Sequence, residues 1–277
     1  MLTPEFLASF PQPIFDLFQE LEDEILADIS RRIAKTGKIT DTAQWQMDRL
    51  DAILSTDEKI KKAISNTDKQ AQKEIEKMLT EAAQTSFDAE AAIYHAANKP
   101  VRKLADYSEL EILIESITRQ TQGELKDLTR TMGFVEQVNG KSRAVSLTNA
   151  YQKQLDLAQL SVSTGTLDYN TAIRTAVKRL ADSGIRFIDY ESGWTNHLDV
   201  AARRAVMTGV NQLSMRMTDF LADELGCEFF EVTAHAGARP SHRVWQGEVY
   251  HRGGEKDGYP DLEETTGLGR VDGLCGA

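Results

Sequence analysis

Cysteine is almost absent. Cys227 and Cys275 are the only two in 277 residues, too few for a disulfide framework and compatible with a reducing cytoplasm. Positive charge is also scarce: 32 Lys and Arg stand against 43 Asp and Glu, a formal net charge of −11. Such a surface as a whole repels nucleic acid and anionic lipid, which argues against bulk DNA packing. Long apolar runs are missing too, because charged residues interrupt every helical stretch before the roughly 20 apolar residues of a membrane helix are reached. The N-terminal MLTPEFLASFPQPIFDLF is apolar in patches, but it lacks a basic leader region, carries Glu5 and Asp16 and holds three prolines. No signal peptide is read there, and a soluble protein is expected. What is present, 41% hydrophobic residues over this length, suffices for a core in one large domain or two smaller ones.

Helical periodicity fills most of the chain. Ile14, Phe18, Leu21, Ile25, Ile29 and Ile33 recur at three-to-four spacing on one helical face, with Gly37 as the stop. A shorter segment from about Asp41 carries Trp45, Leu50, Ile53 and Leu54, and Ser55-x-x-Glu58 then has the form of a capping box that opens a long helix. That helix runs through Ile60, Ile64, Ile75, Met78, Leu79, Ala82, Ala83, Phe87 and Tyr94 to Pro100. Its stretch from Lys61 to Lys77 is polar enough to face water or a partner. A second box, Ser108-x-x-Glu111, opens a helix with Leu110, Leu113, Ile114, Ile117 and Leu128 on one side.

Met132 to Arg143, with Gly133, Asn139 and Gly140, reads as a turn or irregular connection. Helix resumes over about 150–160 and 168–181, closing on Ser183-Gly184, and Ile185 to Tyr190 reads as a strand or extended link. The clearest helix spans about His197 to Leu225, ended by Gly226, with Leu198, Ala202, Ala205, Gly209, Leu213, Met217, Phe220 and Leu225 along one side. Glu228–Thr233 and Val244–Tyr250 are then rich in β-branched and aromatic residues and read as paired strands. A Gly-rich tail with little periodicity follows. The expectation is a mainly α protein, with long helices forming an elongated body over 1–226. A small α+β module over 227–277 contains a short antiparallel β-unit.

Chemistry concentrates between the two expected strands. The loop from His235 to Arg243 places two His, two Arg and a Ser within nine residues. One reading is nucleophilic or acid–base catalysis by Ser241 with His235 or His242. Adjacency alone, however, does not place a base on the hydroxyl proton or supply an orienting acid. A second reading is zinc held by His235, His242, His251 and Cys275, all legitimate ligands whose spacings match no common zinc module, so no metal is expected.

The preferred reading is architectural. Pro240 fixes a turn, Gly247 permits a bulge, Arg239 donates to a carboxylate or to loop carbonyls, His242 hydrogen-bonds locally and Trp245 supplies apolar burial. Elsewhere, His95 is read as a solvated or packed helical side chain, His197 as a helix-start residue and Cys227 as a buried small residue. Arg174, Lys178, Arg179, Arg186, Arg203, Arg204 and Arg216 outnumber Asp182, Asp189, Glu191 and Asp199 in the middle of the chain. That local excess is a candidate face for DNA or for a protein partner, with a solvated surface as the simpler reading.

The segment from Thr233 to Tyr250 resembles the signature of the phage minor capsid protein 2 family, related to the Mu F-like minor head proteins of tailed bacteriophages. An upstream His, then Arg-Pro-Ser-His, then an aromatic residue and a Gly appear here as His235, Arg239, Pro240, Ser241, His242, Trp245 and Gly247. Ala201-Ala-Arg-Arg-Ala205, Asn211-Gln212, and Gly267-Leu-Gly before Cys275-Gly extend the likeness. The family pattern continues past this cysteine into a further Cys- or His-bearing stretch, so the C-terminal module is read as shortened.

The resemblance implies a non-enzymatic structural protein of the virion, assembled in the bacterial host cytoplasm and acting in head morphogenesis at the portal or the inner capsid face. It implies the portal protein, the major capsid protein or both as partners, no cofactor and no membrane. A weak DNA contact and an oligomer stay open. The alternatives are a hydrolase or toxin-like enzyme built on the 235–243 loop, and a DNA-binding internal protein ejected with the genome.

Overall fold

A computed structural model describes residues 2–35, 43–138, 141–188, 195–234 and 238–268. The chain divides into two compact units, one of residues 1–91 with 102–215, the other of 92–101 with 216–277. Helices dominate, as the periodicity predicts.

The first unit begins with α1 (Pro4–Ser9), whose N-terminus is closed by the Thr3 hydroxyl accepting from Phe6 N–H at 3.2 Å, with Pro4 in the first turn. In α2 (Gln12–Lys35), Ile14, Phe18, Leu21, Ile25 and Ile29 are all at most 1% exposed, which is the face their spacing assigns. The side chain of Ile33, and Gly37 as its stop, lie outside the described residues.

A single helix, α3 (Ala43–Ala96), replaces the expected short segment and new start at Ser55. No Gly or Pro occurs between 43 and 96, so nothing interrupts the hydrogen-bond ladder, and a Ser-x-x-Glu pattern inside a running helix has no orphan N–H groups to cap. The polar stretch from Lys61 to Lys77 does not simply face water. Ala63, Thr67, Ala71 and Ile75 are buried along it, a narrow seam of small side chains that lets another helix approach closely.

That neighbour is α4 (Ser108–Arg130). Its Thr129 hydroxyl donates to Asp68 Oδ1 at 2.9 Å, and its Gln122 Nε2 donates to the Gln72 carbonyl at 2.8 Å. The expected capping box at Ser108 is not formed. Tyr107 is the N-cap, and Ser108, already helical, turns its hydroxyl to Glu109 Oε2 at 3.2 Å. Tyr107 itself is 1% exposed, its ring 6.0 Å from Phe87 and 4.3 Å beneath the Arg102 guanidinium.

In the region Met132 to Arg143, Asn139 and Gly140 lie outside the described residues, and the rest is extended, not irregular. It is most of a β-hairpin, β1 (Met132–Val138) and β2 (Lys141–Ser146), antiparallel in register from Gly133 opposite Ser146 to Val138 opposite Lys141. Asn139-Gly140 between two such strands is the strongest short-range hairpin signal. Phe134, Val135 and Val138 before that pair, and Val145 after it, were the strand-favouring residues that a turn reading passes over.

Two helices follow, α5 (Leu147–Ser163) and α6 (Tyr169–Ser183), each with a side-chain N-cap. Ser146 accepts from Asn149 N–H at 3.3 Å and Asp168 from Thr171 N–H at 3.1 Å. Gly184, at φ +63°, ends α6. The strands β3 (Arg186–Ile188) and β4 (Thr195–His197) then complete an antiparallel sheet of order β2-β1-β3-β4, which the helical periodicity did not announce.

Helix α7 (Leu198–Leu225) carries small residues inward. Ala201, Ala202, Ala205, Val206, Val210, Leu213 and Met217 are buried. Gly209 sits so close to Thr121 of α4 that a Cβ there would lie 2.3 Å from the threonine hydroxyl. Ser86 of α3 and Ser214 of α7 share a hydrogen bond at 3.0 Å. Among the described residues, no helix is long and apolar enough to cross a membrane.

Candidate functional site

The second unit holds the motif. Gly226, at φ +65°, ends α7, and the next amide, Cys227 N–H, returns to the Ala222 carbonyl at 2.8 Å. The Lys99 ammonium donates to the Leu225 carbonyl at 3.3 Å, placing a cation at the helix C-terminus. Cys227 is half-buried, not the fully buried residue expected, and its thiol donates to the Phe229 carbonyl at 3.4 Å.

Strand β5 (Phe229–Glu231) pairs antiparallel with β6 (Val249–His251), Phe230 opposite Tyr250. The ladder continues one step through Val232 N–H to Glu248 O at 3.0 Å and Gly247 N–H to Val232 O at 2.7 Å. The expected strand over Val244–Tyr250 is therefore mostly not one. Arg243–Trp245 form a 3₁₀ turn, and extended pairing begins only after Gly247, whose φ of +75° reverses the chain.

The motif residues take these positions. Pro240 is the second residue of a turn in which His242 and Arg243 N–H both donate to the Arg239 carbonyl, at 2.9 and 3.2 Å. Proline's fixed φ suits that place. Arg239, Pro240 and Ser241 are exposed. The Ser241 hydroxyl makes no hydrogen bond among the described residues, while the His242 ring stacks on Trp245 with centroids 4.8 Å apart. Trp245 packs on a small core of Val232, Tyr250 and Leu262 with Phe230 and Leu268. A loop carbonyl is claimed by Arg243, whose Nε donates to Ala238 O at 3.4 Å. His235 lies outside the described residues, as does Cys275. Among those described, no group of three or more His, Cys, Asp or Glu is arranged to hold a metal ion. His95 is exposed, and His197 is the last residue of β4.

Around His251 the structure assembles charges that sequence reading left apart. His251 is 6% exposed, and its Nδ1–H donates to the Gly254 carbonyl at 2.6 Å. Its Nε2 is buried, 3.5 Å from Glu228 Oε2, a separation too long for a well-formed hydrogen bond. Glu228 also binds the Lys256 ammonium. The Lys256 hydrogen bond, with His251 adding to it, holds the Glu228 carboxyl below the usual range, and Lys256 is raised in turn. The Phe229 ring meets His251 and Tyr259 edge-on at 5.1 and 5.3 Å.

Asp261 joins the loop to α8 (Leu262–Thr266). Its Oδ1 accepts from Glu264 N–H and its Oδ2 from Gly254 N–H, each at 2.6 Å. Those backbone donors keep its carboxyl below the ordinary aspartate range. Arg252 reaches Asp223 at 3.1 Å and Asp219 at 3.7 Å on the last turns of α7, and lies 5.9 Å over the Phe230 ring. Burial pushes Asp219 up against the opposing pull of Arg252.

Two signals for this set stood in the sequence. Asp261-Leu-Glu-Glu264 has the form of an N-cap before acidic first-turn residues. Asp257-Gly258 (φ +53° and +84°), between Lys256 and Tyr259, marks a two-residue hairpin. Arg252 had no such signal, because its partners are some 30 residues upstream.

This site joins two strands, a turn and a short helix through a small apolar core and a ring of ion pairs and backbone hydrogen bonds. A family model described as phage minor capsid protein 2 matches residues 2–277. No curated protein and no solved structure matches the chain.

Proposed function

We propose, from the premise that this chain belongs to the phage minor capsid protein 2 family, a non-enzymatic role in head morphogenesis at the portal or inner capsid face. In this reading the helical residues 1–226 dock on the portal or the major capsid protein, and residues 227–277 are a compact architectural module. The observation that carries the proposal is the extent of the family match: it runs through the helices as well as the motif, so the whole chain is a capsid component rather than a carrier of a short borrowed loop. The geometry around Ser241 is consistent with it. A solvent-exposed hydroxyl beside an imidazole stacked on Trp245 resembles a surface turn more than a nucleophile with its base.

The test is made in the phage. A photo-cross-linking residue at Ile112, which is 68% exposed on α4, is expected to give adducts with the portal or major capsid protein in purified particles. Loss of the gene is expected to yield defective heads. Normal, infectious heads without the protein would sink the proposal. So would assembled but non-infectious heads from Ser241→Ala or His242→Ala, the result an enzyme would give.

A further inference from the structure

In the first unit, the turn between α6 and β3 is closed by a side chain from far away in the sequence. Ile185 is 0% exposed, and its N–H lies past the end of α6 and before the pairing of β3 begins. A buried donor in that place needs an acceptor. It finds Glu22 Oε1 at 2.7 Å, 163 residues upstream on α2. Gly184 makes the room: a Cβ there would stand 3.0 Å from Glu22 Oε1 and 3.5 Å from two atoms of the His197 ring. A carboxyl from α2, a backbone turn and an imidazole from β4 therefore meet at one point.

The surroundings of this carboxyl pull in both directions. Burial does most to raise it, the Ile185 N–H lowers it, Asp199 at the start of α7 raises it, His197 lowers it, and Asp23 beside it on α2 raises it. On α6 and β3, Lys178 pairs with Asp182 at 3.2 Å and Arg186 Nε donates to the Ser183 carbonyl at 3.3 Å, so these charges are engaged there rather than with Glu22. Among the described residues, a single imidazole thus stands against two acids and the loss of water.

We propose that Glu22 is a proton-operated latch on this turn: protonated, it keeps α2 closed on the chain between α6 and β3, and ionised, it lets that chain open to water. Strands β3 and β4 have three residues each, so little else holds the turn, and opening it hydrates the carboxylate without unfolding the unit. A carboxyl raised in the folded chain adds stability below its unfolded value and gives it up as pH rises through its folded value. The latch is therefore shut in acid and eases toward neutrality. This inference does not depend on which head component is the partner.

Amide exchange in the full-length chain tests it, with the rate at each amide divided into that of the unfolded chain at the same pH. Protection of Ile185 is expected to fall as pH is raised from the acid range to neutrality. It is also expected to stay below that of Leu213, 1% exposed in α7, because the turn opens without the unit. Glu22→Gln, which still accepts from Ile185 but carries no charge, is expected to abolish the fall. Two variants leave the Glu22–Ile185 bond in place and keep the test decisive if the glutamine protein folds poorly. Asp199→Asn removes a charge that opposes ionisation and is expected to move the fall to lower pH, and His197→Gln removes one that favours it and is expected to move the fall to higher pH. Level protection of Ile185 across the range overturns the proposal. So does protection equal to that of Leu213, a fall that persists in a folded Glu22→Gln protein, or neighbour variants that shift the fall in one common direction or not at all.

Discussion

Replacing Gly209 by alanine sets two effects of known sign against each other. Gly209 lies inside α7, where alanine is favoured over glycine by about 1 kcal/mol through helix propensity. Its Cβ, however, would stand 2.3 Å from Thr121 Oγ1, 3.5 Å from Thr121 Cβ and 3.6 Å from Cγ2. Thr121 is 1% exposed on α4, and its branched side chain has no long arm to swing away. Relief requires about 1 Å of movement between packed helices or an off-rotamer threonine, and overpacking of this kind costs about 1–3 kcal/mol.

The clash is therefore expected to win, with Gly209→Ala net destabilising by about 1–2 kcal/mol, read as a lower urea midpoint at unchanged slope. The control is the partner. In a Thr121→Ala background the obstacle is gone, and the same glycine substitution is expected to be neutral or stabilising by up to about 1 kcal/mol. Thr121→Val keeps the shape and should not rescue. A raised midpoint for Gly209→Ala alone, or rescue by valine as good as by alanine, would refute the steric argument.

Three further outcomes follow from the packing and the charges. Burial raises the Glu22 carboxyl even though Ile185 N–H donates to it at 2.7 Å. A carboxyl raised in the folded state contributes stability that is present below its unfolded value and lost as pH rises through its folded value. Glu22→Gln, which still accepts from Ile185, is thus expected to gain on the wild type in urea midpoint as pH is taken from the acid range to neutrality; a constant difference between the two would contradict this. Asp261 is shifted the other way by Glu264 and Gly254 N–H, so its support of the α8 cap is present above its unfolded value and fades as pH falls through its lower folded value. Asp261→Ala should loosen the His251–Gly254 loop at neutral pH and make far less difference in strong acid, measured by amide exchange at Gly254. Leu262, 5% exposed in the small core with Val232 and Tyr250, should cost about 2–5 kcal/mol when cut to alanine. Near-ultraviolet dichroism of Trp245 is expected to report the loss, and an unaltered spectrum would mean that this core does not hold the tryptophan.

What the sequence disclosed and what it hid divide along a physical line. The α2 face was legible because five large apolar residues at regular spacing leave one solution for burial, and all five are enclosed. The α3 seam was not, because Ala63, Thr67 and Ala71 carry little hydrophobic signal of their own. Their burial follows from their smallness, which matters only once α4 arrives beside them. Misreading Ser55 has the same origin: a cap motif is a statement about orphan donors, and a helix without Gly or Pro over 54 residues offers none in its middle.

The motif shows the limit from the other side. Its residue types named a set of chemistries, and spacing could not choose among them, since Ser241 and His242 are adjacent in catalytic and architectural turns alike. What separates them is side-chain direction. The imidazole of His242 lies on Trp245, the hydroxyl of Ser241 is exposed, and, among the described residues, the buried histidine of the unit is His251, ten residues from Ser241 and tied to Gly254. A side chain's direction is set by backbone turns that the Arg239-Pro240 pair and Gly247 impose locally, and by a strand partner, β5, that no local pattern specifies. For that reason the substitutions with the most to say about function in this unit are those that keep the turn and change only its charge.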